Sequence, residues 1–543
     1  MKILNYFIAI AVTIAVFGGN ASGQKKTSGA DLITSADLES HMTFLASPLL
    51  RGRENGKPGL EIAQNYIVSQ VRMMGLKPAN GTSYLQPYII EKTTMNPLKT
   101  MIQIIQGNND TVTIKKQIFQ LLPTGPSDFD VSGEVVFAGY GLRQDNYGYN
   151  DFKDLKAEGK ILLIMAGAPT TEDGEKYLFE GVDWSSFMSI QVKLTGLIFC
   201  RAQAVIIVMD PKSGKTSFDQ QFPGISGELS SSENLKGAKA MVNTMPGAPK
   251  VLFADRIVAD EILRGTGHTL DDLQKKIDSE VKPFTFSIPG KQVRISEGVM
   301  KEEITLNNVA AYIEGSNPLL KNEYVIFSGH ADHIGAAGDK INAGADDNAS
   351  GCAALLSMAE AFQSLEKKPL RSILFLWVSG EEIGLYGSSS YVNNPLVPLE
   401  NTVADLNMDM IGRIKGVADS TSKTPMTGPN GVFVITGYQS KELVAIAEEV
   451  DKTTVLDFDY SLSAKNHPEQ LLTRSDHFNF VRKDIPVLFF TTGLHTEYHT
   501  PSDVLEKIDF GKMELVSRTM YQIGHKVANR EKRIVVDNPF SKW

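Results

Sequence analysis

The sequence predicts an α/β protein, a three-layer sandwich around a mostly parallel mixed sheet, with a second, strand-rich module earlier in the chain. Three observations carry this. Beyond residue 300, continuous apolar runs at 324–327, 373–378, 403–408 and 487–490 alternate with helical spacing at 352–365 and 442–450. That is the pattern of strands buried on both faces and joined by crossover helices. Between about 119 and 292 the texture changes to short apolar runs separated by Gly, Pro and Asp, as in a separate strand-rich unit. Finally, 543 residues exceed what one hydrophobic core organises.

Taken in order, Lys2 precedes an apolar run at 6–17 and small residues ending Ala21-Ser22-Gly23, the pattern of a secretory signal peptide over 1–23. That run is too short for a membrane helix, and no cysteine lies near the cleavage region to carry a lipid. The mature chain is therefore expected to be exported, periplasmic or extracellular, without a membrane span. Residues 24–118 form the first part of the main domain: Leu60, Ala63, Ile67 and Val71 share one helical face, Arg51 to Gly59 is a turn-rich connector, and 84–122 alternates like strand. The strand-rich module covers 119–292, with strands at 135–137, 161–165 and 205–209 and a polar stretch at 213–236 expected to be mostly loop with at most one helical turn. Residues 293–543 complete the main domain, ending in a helix over 510–527.

Composition excludes several functions. Lys plus Arg total 54 against 63 Asp plus Glu, a net charge of −9, so there is no basic footprint for nucleic acid. Two cysteines, Cys200 and Cys352, make neither a disulfide framework nor a thiolate zinc module and are expected to be buried thiols. No histidine is followed by glutamate, which excludes an H-E-x-x-H helix, and no G-x-S-x-G elbow is present. Ser213-Gly214-Lys215-Thr216 lacks the first glycine of a phosphate-binding loop, since Met209 stands there.

The chemistry concentrates late in the chain. Six of nine histidines, His330, His333, His467, His477, His495 and His499, fall between 330 and 499. Acids and imidazoles follow the apolar runs closely: His330-Ala331-Asp332, Glu381-Glu382, Asp409 and His499. Ligands of open α/β sheets bind beyond the carboxyl ends of the strands, so these chain-distant groups meet at one edge. Clustered carboxylates repel one another unless a cation holds them. Two histidines with several carboxylates and no thiolate suit zinc, or manganese or cobalt. Gly344-Ala345-Asp346-Asp347-Asn348 opens the helix near Cys352, where acids cap the helix or bridge cations. His333 and His495 are read as supporting groups; Ser475-Asp476-His477 starts a helix whose Asp-His pair could line the same cavity.

The set Gly329-His330-x-Asp332, Gly344-Ala345-Asp346-Asp347, Ser379-Gly380-Glu381-Glu382-x-Gly384-Leu385-x-Gly387-Ser388, Asn407-Met408-Asp409 and His499-Thr500-x-x-Asp503 resembles the co-catalytic zinc aminopeptidases, a family that includes the glutamate carboxypeptidases. The resemblance implies a zinc-exopeptidase fold with an inserted protease-associated domain at 119–292. It implies two zinc ions: His330, Asp346 and Asp409 on one, Asp346, Glu382 and His499 on the other, Asp346 bridging. It implies further that Asp332 orients His330, that Glu381 is the general base, and that a cis peptide joins Asp346 to Asp347. Tyr498 is a candidate oxyanion donor. The expected function is removal of N-terminal residues from peptides by water activated between metals and base. Alternatives are a carboxypeptidase, for which Arg413 or Arg474 would bind the terminal carboxylate, a glutaminyl cyclase on the same fold, and a metal-free binding protein.

Overall fold

A computed structural model describes residues 29–107, 110–115, 118–122, 127–171, 176–197, 200–236, 249–417, 419, 425–464 and 466–542. The expected signal peptide and part of the loop at 416–431 lie outside the described residues. The main sheet has ten strands. Those that position the site are β1 (Leu85–Met95), β2 (Ser231–Leu235), β3 (Val299–Ile313), β4 (Tyr324–His330), β5 (Ser372–Val378), β6 (Thr402–Met408), β7 (Gly431–Thr436), β8 (Asp457–Asp459) and β9 (Val487–Thr491), in the spatial order β2-β1-β3-β5-β4-β6-β9-β7-β8. Strands β5, β4, β6 and β9 run parallel, while β1, β2, β3 and β7 attach antiparallel. The four apolar runs read from the sequence are thus the parallel centre of a mixed sheet. Every residue of β5 and β6 is buried, as expected where helices cover both faces.

One face carries α1 (Ser35–Leu45), α2 (Pro58–Met73), α3 (Gly351–Ser364), α5 (Lys441–Asp451) and α7 (Phe510–Ala528); the other carries α4 (Tyr386–Asn393) and α6 (His477–Val481). Leu60, Ala63, Ile67 and Val71 all point from α2 into the core beneath the first face. Thr34 caps α1 by accepting from the Asp37 N–H, satisfying one free donor of the first turn.

A second sheet of eight strands draws on residues 101–297 and lies in chain order between β1 and β3. It begins earlier than the sequence texture predicts. Met101–Gln106 and Thr111–Ile114 pair, directly or through one another, with Thr285–Glu297, because alternation alone does not say which sheet a strand joins. The polar stretch at 213–236 also departs from expectation, since it contains the strand β2, which leaves the second sheet's neighbourhood and pairs with β1 from Ser231–Thr94 to Leu235–Ile90. Cys352 is buried as expected, whereas Cys200 is only half-buried.

Candidate metal centre

Each parallel strand delivers one part of the site. β4 ends on His330, β5 runs through Ser379-Gly380 into Glu381-Glu382, β6 is followed at once by Asp409, and the chain beyond β9 returns through His495 to His499. Gly380 has φ +69, and a Cβ there would come within 2.6 Å of the Tyr88 hydroxyl. That turn is what swings the two glutamates over the sheet edge.

The carboxylate shared by the two halves of the cluster is one residue from where the resemblance places the bridge. Asp347, and not Asp346, stands between the two halves of the cluster. Its Oδ1 is 3.2 Å from His330 Nε2 and its Oδ2 3.1 Å from His499 Nε2 and 3.5 Å from His333 Nδ1. Asp346 faces away: Gly412 N donates to its Oδ1 at 2.6 Å, and its Oδ2 lies 3.5 Å from His495 Nε2. The turn explains the shift. Gly344 has φ +60 and Asp347 is extended (φ −103, ψ 96), so consecutive side chains leave on opposite sides. The buried Asp503 carboxylate pins this arrangement by accepting from the backbone N–H groups of both Asp346 and Asp347 at 3.0–3.1 Å. The cis peptide likewise joins Asp347 to Asn348, not Asp346 to Asp347.

Around Asp347 the donors form two groups, each with ligand atoms within 4.8 Å of one another: His330, Asp347 and Asp409; and His333, Asp347, Glu382 and His499. His330 Nε2 is 3.3 Å from Asp409 Oδ1, and His499 Nε2 is 3.0 Å from Glu382 Oε2. His330, Asp409, Glu382 and His499 therefore meet as the sequence predicts. Burial alone would lower the imidazole of His330, but Asp409, Glu381 and Asp347 raise it well above its ordinary range. His499 goes to about 10 for the same reason, burial being outweighed by Asp347 and Glu382. Asp347 runs opposite: burial is overcome by His333, His330 and His499, which hold it well below the usual carboxylate range. Buried carboxylates interleaved with imidazole nitrogens at these separations fit borderline divalent cations, and the donor set matches zinc in particular.

At Asp332 the backbone carbonyl, not the carboxylate, is the nearer partner of His330. Its carboxylate is 3.7 Å from His330 Nδ1, farther than its own backbone carbonyl at 3.2 Å. The carboxylate instead accepts from Asn55 Nδ2 at 2.7 Å and from the Glu381 and Glu382 N–H groups, both at 3.3 Å, and so fixes the backbone that carries the glutamates. Burial pushes Glu381 well above the ordinary carboxyl range; His330 opposes this, while Asp476, Asp409 and Glu382 add to it. Tyr498 stacks on His499 with ring centroids 3.8 Å apart. Burial and the nearby carboxylates of Asp347, Glu382 and Glu381 keep its phenol protonated and able to donate.

His477 rests against an aromatic ring. It is buried against Phe489 at 4.5 Å between ring centroids, and Asp476 beside it accepts from Ser388 at 2.5 Å. His495 supports Asp346, as noted. Arg413 pairs with Glu497, and Arg474 lies 3.6 Å from Glu469.

Sequence reasoning missed Arg53. Its fully buried guanidinium donates to the carbonyls of Leu45 and Ala343 (both 2.7 Å), Ala331 and Gly344 (both 2.9 Å) and Asp347 (3.4 Å). It ties α1 to both loops of the centre, and Asn55 extends the clamp by accepting from Gly380 N at 3.0 Å. An arginine among turn-forming residues carries no local mark of burial; five carbonyls converging on one site are visible only in three dimensions.

A mixed sheet whose parallel strands end in imidazoles and carboxylates, with one carboxylate shared by two donor groups, defines an α/β protein with a candidate two-cation centre. Residues 308–524, which hold every one of these donors, match the model of Peptidase family M28. Over 126 residues the chain is 36% identical to an aminopeptidase of Pseudomonas aeruginosa, a match spanning 23% of this chain and 22% of that protein. Over 199 residues it is 30% identical to leucine aminopeptidase 1 of Penicillium rubens, spanning 35% and 49%. The chain thus spans about a fifth to a half of the length of these relatives. The fold is like that of the aminopeptidase from Aneurinibacillus sp. strain AM-1, with a TM-score of 0.51 at 18% identity over 94% of this chain and 97% of that one.

Proposed function

We propose that the chain is an exported, metal-dependent aminopeptidase that removes N-terminal residues from peptides, with two divalent cations, zinc by donor chemistry, held by His330, Asp347 and Asp409 and by Asp347, Glu382 and His499. The observation that carries this reading is Asp347, one carboxylate placed between two donor groups, with Glu381 on backbone held by Asp332. Bound cations supply Lewis acidity, lowering the pKa of water and polarising a carbonyl. The chain's own residues do the rest. Glu381, its backbone held by Asp332, takes a proton from the attacking water and returns it to the leaving amine. Tyr498 donates to the carbonyl oxygen as charge develops there. Carboxylate oxygens of the cleft not taken up by cations would accept from a substrate's α-ammonium group. Arg413 is engaged with Glu497, which disfavours its capture of a terminal carboxylate. The apolar run at 6–17 supports export, and among the described residues no helix is long and apolar enough to cross a membrane.

The second sheet is read as the protease-associated insert, limiting entry to short peptides. Tyr386, four residues beyond Glu382, donates to the Glu233 carbonyl in β2, so the chain between the strands of the second sheet is tied to the helix that follows the paired glutamates. Equal cleavage of dipeptides and folded proteins with free N-termini would contradict a limiting role.

The test separates the paired glutamates. Glu381→Gln keeps both metals while turnover falls by about 10²–10⁴-fold; Glu382→Gln loses one metal preferentially and recovers partly at high metal concentration. Zinc content and turnover of both variants decide it. Unchanged turnover in both would place the active site elsewhere, and one zinc per chain in fully active enzyme would favour the cyclase.

A further inference from the structure

His333 lies three residues beyond the first imidazole of the centre and has no assigned part in it. Its ring is fully buried, with Nδ1 2.7 Å from Glu382 Oε1 and 3.5 Å from Asp347 Oδ2. Nε2 has no hydrogen-bond partner among the described residues. The ring sits across from His499, centroids 5.6 Å apart at 71°, so Nδ1 and His499 Nε2 approach the same two carboxylates from different directions. The turn is also built around this ring: a Cβ on Gly344 would come within 2.5 Å of His333 Cδ2. An imidazole nitrogen this close to two buried carboxylates needs a proton or a cation between them.

We propose that His333 is a direct metal ligand through Nδ1, which makes the two positions of the centre unequal. One is closed by four protein ligands, His333, Asp347, Glu382 and His499; the other keeps three, His330, Asp347 and Asp409, and a vacant coordination position. Zinc sites with four protein ligands are the tight, closed kind, and those with three leave room for water or substrate. The four-ligand position fills first and stays filled, while the three-ligand position exchanges and admits the reacting groups. This inference rests on the two-cation reading above and adds to it a ligand and an order of filling.

The experiment uses the full-length mature enzyme, stripped of metal and given zinc alone. His330→Ala weakens the three-ligand position, so that one equivalent of zinc reports on the other. Zinc K-edge X-ray absorption should then count two imidazoles, from His333 and His499, and one after His333→Ala is added. Chelator competition should show zinc binding weakened by more than the about 10–100-fold that outer-shell substitutions cause. His333→Asn, whose amide can still hydrogen-bond to Glu382, should give the same imidazole count as alanine and keeps the test decisive if the alanine variant is unstable. One imidazole with and without His333, together with a loss inside the outer-shell range, would show that His333 only steadies Glu382 and would overturn the proposal. If even the unsubstituted enzyme retained no zinc, the two-cation reading itself would fall, a result distinct from a changed ligand count.

Discussion

Asp346 and Asp347 are chemically identical neighbours, and the centre assigns them opposite duties, so exchanging each for asparagine isolates what position alone does. Asp347→Asn removes a charged donor from both cation positions at once. Asp346→Asn leaves an amide oxygen able to accept from Gly412 N at 2.6 Å and gives up only the 3.5 Å approach of Oδ2 to His495. Outer-shell substitutions of the second kind weaken metal binding by about 10–100-fold, or about 1.4–2.8 kcal/mol at 1.4 kcal/mol per decade. Losing a shared ligand exceeds that range at each position. If each affinity falls by only about 10²-fold, the doubly loaded fraction under limiting zinc falls by about 10⁴-fold. The assay is turnover of an aminoacyl chromogenic amide in chelator-buffered zinc, with metal content of the dialysed proteins and circular dichroism to confirm folding. Asp347→Asn should be metal-poor and nearly inactive, and Asp346→Asn metal-replete with modestly reduced turnover at saturating zinc. The reverse order would refute the geometry of the 344–348 turn and restore Asp346 as the bridge.

Three further outcomes follow from particular side chains. Arg53→Met leaves the buried carbonyls of the clamp without a donor, so calorimetry should show about 3–5 kcal/mol of lost stability and, for a domain of about 330 residues, a Tm lower by about 4–7 °C; a loss under about 1 kcal/mol would mean the clamp is ornamental. His477, whose imidazole is pushed down to about 3 by burial with only the Leu472 backbone as polar support, takes up a proton near pH 6.5 when unfolded but not when folded, so stability declines as pH falls from about 6.5 towards 3. His477→Phe should remove about 3 kcal/mol of the difference between pH 7 and pH 4 in urea unfolding, and an unchanged pH dependence would contradict the buried neutral imidazole. Tyr498→Phe should lower kcat by about 10²-fold with little change in KM; the opposite split would make the phenol a substrate-binding group.

What the sequence reveals of this site depends on whether a residue's role is set locally. His330, Glu382 and Asp409 are legible because each follows an apolar run that must be a buried strand, and the end of a parallel strand is where ligands gather. Asp347 is not distinguishable from Asp346 by type or by pattern; a single dihedral at Gly344 and the Asp503 carboxylate, 156 residues away, decide which one faces the cluster of imidazoles. His333 looks like a bystander to its neighbour until Glu382 is brought beside it. The strand β2, Ser-Ser-Glu-Asn-Leu, has little intrinsic strand preference and forms because an open edge is offered to it.

That offered edge bears on how freely the two halves of the molecule could have been joined or parted. β2 lies along β1 from Ile90 to Thr94 and is held by the ion pair of Lys92 and Glu233 at 2.9 Å, while the opposite margin of the sheet ends in the three-residue strand β8. Both margins are therefore blunted against pairing with other chains. A trimmed chain lacking residues 101–297 would lose that cover and present a row of unsatisfied amides to its neighbours, inviting edge-to-edge aggregation. The strand-rich unit is thus not a detachable accessory: any lineage or laboratory that discards it must first supply β1 with another guard.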